Sequence, residues 1–81
     1  MDVLRVAGRD LLGTVVPQGG GYRLRIFGPE WEFIDVPVGH TVEVNVPGKP
    51  VKRLLVAEVV EIPQSFSTWV VFIPPIRPSA N

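Results

Sequence analysis

The chain contains no cysteine, and this absence excludes several kinds of site. Without cysteine there is no disulfide, no thiolate zinc site and no cysteine nucleophile. His40 is the single histidine, whereas transition-metal sites need three or four converging ligands. We therefore expect neither a metal nor a cofactor. Because small extracellular domains usually need disulfides and no signal peptide is recognisable, the sequence predicts a cytoplasmic or virion-associated protein.

Long hydrophobic runs and an excess of charge are also lacking. No apolar run approaches the ~20 residues of a membrane-spanning helix, so no membrane association is predicted. Eight Lys and Arg residues balance eight Asp and Glu residues. The chain therefore lacks the basic surplus on which non-specific nucleic-acid binding depends, although a neutral chain can still have a local basic face.

No catalytic constellation stands out in the sequence. His40 lies in a predicted turn, without a nucleophile or an orienting carboxylate at an informative spacing. Glu30 and Glu32 share one face of a predicted strand, where pairing with arginines on a neighbouring strand explains them without acid–base chemistry. The run Gly19–Gly21 lacks the helix, or the Lys and Ser or Thr at fixed offsets, of a phosphate loop. The sequence thus predicts that the protein is not an enzyme.

What the chain does contain is β-branched residues separated by turn residues. Nine prolines and eight glycines interrupt it, and between them no window keeps a 3.6-residue apolar period for three turns. The apolar stretches predict strands at 3–6, 11–16, 22–27, 31–36, 41–46, 51–62 and 68–73. The stretch 51–62 is long enough to require a bend or a β-bulge, and a short helix at 52–58 is the alternative.

This pattern predicts an all-β fold, a small antiparallel barrel or compact sandwich, OB-like or SH3-like, with about six to seven short strands. A parallel sheet would need crossover helices that the pattern does not provide. The segments 12–16 (LGTVV) and 39–44 (GHTVEV) resemble the strand openings of OB-type small barrels, including TOBE-type domains. The resemblance implies a barrel, but no ligand-binding residue follows from it. We expect a single β domain at 1–73 and a Pro-rich arm at 74–81.

The last predicted strand is apolar on both faces, and 46% of all residues are hydrophobic. A domain this small has little interior in which to bury so much apolar surface. The strand must therefore be central in the barrel or meet another chain. The main interpretation is a non-enzymatic protein-interaction or assembly module, viral or accessory, that forms homo-oligomers or docks on a larger protein. Its predicted interface consists of Trp69, Val71, Phe72, Ile73 and Ile76.

Nucleic-acid binding is the alternative interpretation. Arginines for phosphate beside aromatic rings for base stacking are typical of barrels that bind single strands. Arg23, Arg25, Phe27, Trp31 and Phe33 would share one face if 22–27 and 31–36 were neighbouring strands. The competing structural interpretation is that Trp31 and Phe33 belong to the core, as most large aromatic residues of a small domain do.

Overall fold

Six antiparallel β-strands close into a barrel, as the all-β prediction requires. The structure is a computed structural model and describes residues 2–28, 31, 34 and 36–75. The strands are β1 (Asp2–Val6), β2 (Arg9–Gln18), β3 (Gly21–Phe27), β4 (Thr41–Asn45), β5 (Lys52–Ile62) and β6 (Ser67–Ile73). A short 3-10 turn at Pro63–Ser65 connects β5 to β6. The architecture is compatible with a small OB-like or SH3-like barrel.

The strand order around the barrel places β6 between β3 and β5. The order is β1-β2-β3-β6-β5-β4, and β4 pairs with β1 to close the ring. All six neighbouring pairs are antiparallel. The closing pair is the shortest, because β1 and β4 are matched only at Arg5 with Asn45 and at Val6 with Val44.

Alternation along the strands determines which side chains form the core. In β3, Tyr22, Leu24 and Ile26 are buried inside the barrel, whereas the residues between them face outward. The same inward and outward alternation holds for β4. Both patterns were predicted from the sequence. The largest fully buried side chains are Phe72, Leu4, Leu24, Ile26, Val6, Val44, Val56 and Val70.

A glycine permits the close approach of β3 to β6. The Cβ atom of any other residue at position 21 would lie against the carbonyl oxygen of Phe72 on β6. Glycine within a strand often marks such a close approach of two backbones. Gly21 therefore determines how closely the start of β3 packs against β6.

The strand β5 has the irregularity that its length predicts. Its register with β6 shifts between Val56 and Glu58, which leaves Ala57 as the extra residue of a β-bulge. The predicted bulge is confirmed, and the alternative of a short helix at 52–58 is wrong. Pairing along β5 continues beyond β4, since Val56 exchanges backbone hydrogen bonds with Gly39 (2.8 Å) and His40 (2.9 Å).

The prediction of a strand at 31–36 is wrong for the residues of this segment that the structure describes. Trp31, Ile34 and Val36 lie outside any strand. The Ile34 N–H donates to the Trp31 carbonyl (3.0 Å) and the Val36 N–H donates to the Ile34 carbonyl (2.8 Å). Local turn hydrogen bonds therefore replace cross-strand pairing, although the apolar residues have the spacing of a strand. Glu30, Glu32 and most of the predicted arm at 74–81 lie outside the described residues.

Candidate protein-interaction surface

The two faces of β6 have different environments. Val70 and Phe72 point into the barrel and are fully buried, whereas Trp69, Val71 and Ile73 are half-buried on its outer side. Phe72 packs edge-on against the ring of Trp31, with a centroid distance of 6.1 Å and an interplanar angle of 71°. This corrects the predicted place of Phe72 in an interface, because its side chain is part of the core. Ile76, the last member of the predicted set, lies outside the described residues.

Both edges of β6 are occupied by neighbouring strands. Residues 67–72 of β6 pair with β3, and β5 pairs with β6 as far as Ile73. A partner cannot add a strand to β6 while the barrel is closed, because the hydrogen-bonding groups of both edges are already used. A partner of the closed barrel can reach β6 only through its outward side chains.

The outward side chains of β3, β6 and β5 are arranged in rows across the sheet. One row runs from Arg23 through Val71 to Glu58, and the next runs from Arg25 through Trp69 to Val60. We call the surface formed by these six residues the β6 face. Its centre is apolar, its β3 margin is basic, and its β5 margin contains the acidic Glu58.

The β6 face contains a shallow depression. Its volume is about 390 Å³, and it is lined by Gln18, Arg23, Glu58, Val60, Trp69 and Val71. Val60 is an apolar residue and is nevertheless 43% exposed. The face therefore offers apolar contact area with charged groups at its rim.

The arginines of β3 lie over aromatic rings. The Arg23 Cζ atom is 4.8 Å from the centroid of the Trp69 ring, a distance typical of cation–π contact. The Arg25 Cζ atom is 5.0 Å from the Phe27 ring centroid and 5.8 Å from that of Trp69. The Arg25 Nε also donates a hydrogen bond to the Ser67 Oγ (3.4 Å). These contacts restrict both guanidinium groups before any partner binds.

The residues predicted for a nucleic-acid face are only partly brought together. Arg23, Arg25 and Phe27 share the outer side of β3. Trp31 does not join them, because it is 8% exposed and packs in the core, and Phe33 lies outside the described residues. Trp69 takes the place that Trp31 was expected to fill. Guanidinium groups already lie over the aromatic rings, so a base that stacked on the same ring faces would have to displace them.

A second exposed aromatic residue, Phe66, was not predicted as functional. It lies in the turn after Pro63–Ser65, is 80% exposed and has a left-handed backbone with φ of 49°. The Gly28 N–H donates to its carbonyl at 2.7 Å, which fixes the turn against the end of β3. The adjoining depression has a volume of about 320 Å³ and includes Ile62 and Thr68 in its lining. The sequence signal that could have identified Phe66 is its position in a short loop that otherwise has polar residues and proline.

The described residues include one histidine and five carboxylates, all of them exposed. They contain no group of three or more His, Cys, Asp or Glu side chains placed to hold a metal ion. His40 is exposed in the turn before β4. The one ion pair found within the described part of the chain joins Arg5 to Asp10 at 3.1 Å and is exposed on the β1–β2 hairpin.

Neither the helix content nor the comparisons with known proteins add a functional assignment. Within the described ranges, no helix has the length and apolar character needed to cross a membrane. The chain matches no protein-family model, no curated protein and no solved structure.

Proposed function

We propose that this protein is a non-enzymatic assembly module whose copies associate through the β6 face. The observation that supports this most is the outward apolar cluster of Trp69, Val71 and Val60. The barrel is already closed, and its interior is filled by other side chains. Outward residues of a solvated antiparallel sheet are usually polar. Burial among the described residues of one copy does not account for this cluster, whereas contact with a partner would.

The composition of the β6 face is typical of an interface centre. Tryptophan and arginine dominate the energetically important positions of protein interfaces, and they work best inside a rim of polar residues. Trp69 lies at the centre of the face, with Arg23 held over its ring. Because the guanidinium is already restricted, less side-chain entropy is lost when a partner binds.

The size of the face predicts a reversible association. Three strands about 4.8 Å apart and seven residues long span about 14 by 23 Å. Two such faces together cover roughly 650 Å², which is below the ~1,200 Å² at which stable specific interfaces begin and falls in the range of weak, transient contacts. We expect dissociation constants of roughly 1–100 μM, so the oligomer forms and separates within an accessible range of concentration.

The experiment is a mass measurement by sedimentation velocity and light scattering from about 1 μM to about 1 mM, a range that brackets the expected constants. Val60→Lys inserts a charge into the apolar part of the β6 face, next to Trp69 on its β5 margin. Val3→Lys is the matched control, because Val3 is an outward valine, 57% exposed, on β1. Wild type and Val3→Lys should show a mass that rises with concentration, whereas Val60→Lys should remain monomeric.

Two results would overturn the proposal. One is a strictly monomeric wild-type protein over the whole concentration range. The other is loss of association in Val3→Lys but not in Val60→Lys, which would move the contact to the β1–β2 side of the barrel. Tryptophan quenching by a single-stranded oligonucleotide at low salt, abolished by Arg25→Ala, together with a monomeric mass would instead favour nucleic-acid binding. If the protein is monomeric but binds a larger protein, and Val60→Lys abolishes that binding, the β6 face is still a contact surface. Its partner is then another protein and not a second copy, so self-association is wrong.

A further inference from the structure

The charges of the β6 face are distributed so that the face complements itself. We infer that two copies pair about a two-fold axis that runs parallel to β6, with Arg23 of each copy opposite the partner's Glu58. The inference rests on the proposed self-association and adds the arrangement of the copies. It follows from the positions of three strands and two charged side chains.

The register places Arg23 and Glu58 at the same height along the barrel. Arg23 is opposite Val71 in the β3–β6 pair, and Glu58 is opposite Val71 in the β5–β6 pair. A rotation of 180° about an axis along β6, lying between two facing sheets, exchanges the β3 side with the β5 side. It leaves the height along the strands unchanged. Arg23 of one copy therefore lies over the partner's Glu58, and the same contact recurs once by symmetry.

The apolar centre is consistent with the same axis. Trp69 lies on β6, close to the axis, so it comes beside the partner's Trp69, with each ring still covered by Arg23 of its own copy. The row that contains it runs from Arg25 to Val60, so Val60 is placed under the aliphatic part of the partner's Arg25. Long arginine side chains commonly cover apolar surface in this way while their charged ends reach water.

The other in-plane axis is disfavoured by charge. A two-fold axis perpendicular to β6 would place β3 over the partner's β3. Arg23 and Arg25 of both copies would then meet, and like charges juxtaposed in an interface cost several kcal/mol. Of the two arrangements, only the axis parallel to β6 brings opposite charges together.

Arg23 and Glu58 do not pair with each other within one copy. The strand β6 separates their backbones by about 9.6 Å, and among the described residues no ion pair with an N–O distance of up to about 4 Å joins them. Both residues are exposed, and among the described residues neither forms an ion pair. Each is therefore available to a partner of opposite charge.

The experiment reverses one charge at a time. Arg23→Glu leaves an acidic residue at both contact positions, 23 and 58, and Glu58→Arg leaves a basic residue at both. Each variant alone brings like charges together at both symmetric contacts, so its self-association should weaken about tenfold or more. A 1:1 mixture should associate again, because both contacts of the mixed dimer then join opposite charges. Combining both substitutions in one chain should restore the homodimer for the same reason.

Matched controls separate this pairing from the effect of overall charge. Arg9→Glu and Asp2→Arg make the same changes in net charge at exposed positions of β2 and β1, away from the β6 face. Their masses, alone and mixed, should follow the wild-type protein. Circular dichroism and urea midpoints should show that all the variants fold, since surface substitutions usually change stability by less than about 0.5 kcal/mol.

The outcomes distinguish the arrangement from the self-association itself. Restoration by mixing and by the double substitution supports the two-fold axis parallel to β6. If Val60→Lys abolishes association but the charge variants associate as the wild type does, or if mixing restores nothing, the face is used in another arrangement and the inference is wrong. If the wild-type protein is monomeric at every concentration, the proposed function fails first.

Discussion

Removal of the Phe72 side chain tests the assignment of the two faces of β6 directly. Phe72 is fully buried and contacts the ring of Trp31, whereas Val71, the preceding residue, faces outward and is half-buried. Phe72→Ala should lower the free energy of unfolding by about 3–5 kcal/mol through lost burial and the cavity it leaves. Val71→Ala removes less buried area and should cost below about 1 kcal/mol.

The size of the domain decides how this prediction is measured. A domain of 81 residues typically has a free energy of unfolding of about 4–12 kcal/mol. Phe72→Ala could therefore remove most of the free energy of unfolding. Phe72→Leu is a milder variant that should lower the free energy of unfolding by about 1–2 kcal/mol. Urea unfolding followed by far-UV circular dichroism gives the free energies of all three variants at a fixed protein concentration.

The order of these losses is the test. Phe72→Ala should be the most destabilised variant, Phe72→Leu should be intermediate, and Val71→Ala should be the least affected. If Val71→Ala cost as much as either Phe72 variant, the inward and outward sides of β6 would be exchanged and the β6 face would not exist. Unfolding should be measured at protein concentrations below and above those at which the copies associate. The comparison separates a loss of self-association from a loss of folding.

Two further predictions concern the backbone and the tryptophans. Gly21→Ala should lower the free energy of unfolding by about 1–3 kcal/mol, because the added Cβ would press on the Phe72 carbonyl oxygen. The control is Gln18→Ala at the exposed residue opposite Gly21 on β2, which should change it by less than about 0.5 kcal/mol. Equal urea midpoints for the two variants would contradict the close approach of β3 to β6. In Trp69→Phe the remaining buried Trp31 should have blue-shifted fluorescence that acrylamide quenches only weakly. In Trp31→Phe the remaining Trp69 is more accessible, so acrylamide should quench its fluorescence more strongly. The reverse order of quenching would refute the assigned burial.

The strands could be predicted from the sequence wherever alternation and turn residues agree. Thr41–Asn45 combines strict alternation with flanking turns, and it forms β4 as expected. The segment 31–36 shows the limit of this reasoning. Its apolar residues have the spacing of a strand, yet Trp31 and Ile34 are buried by a locally hydrogen-bonded turn. Alternation of apolar and polar residues indicates which side chains become buried. It does not indicate which groups form hydrogen bonds with the backbone of those residues.

The candidate surface depends on long-range pairing, for which the sequence gives no local signal. Arg25 and Ser67, which share a hydrogen bond, are 42 positions apart. The sequence indicates that Arg23 and Arg25 share a face and that the last strand is apolar on both sides. It does not indicate that β6 lies beside β3, so Trp69 and the arginines were assigned to separate candidate sites. The strand order unites them.

The short seam between β1 and β4 has a consequence for how the ring opens. Only two residue pairs join these strands, with one further hydrogen bond from the Ala7 N–H to the Glu43 carbonyl (3.1 Å). Local opening costs least where the fewest backbone hydrogen bonds must break. The barrel therefore behaves as a curled sheet whose first and last strands, β1 and β4, are held together by few hydrogen bonds. We therefore expect amide protons at the seam between β1 and β4 to exchange with solvent through brief local openings, and those shared by β3 and β6 to exchange only when the whole domain unfolds.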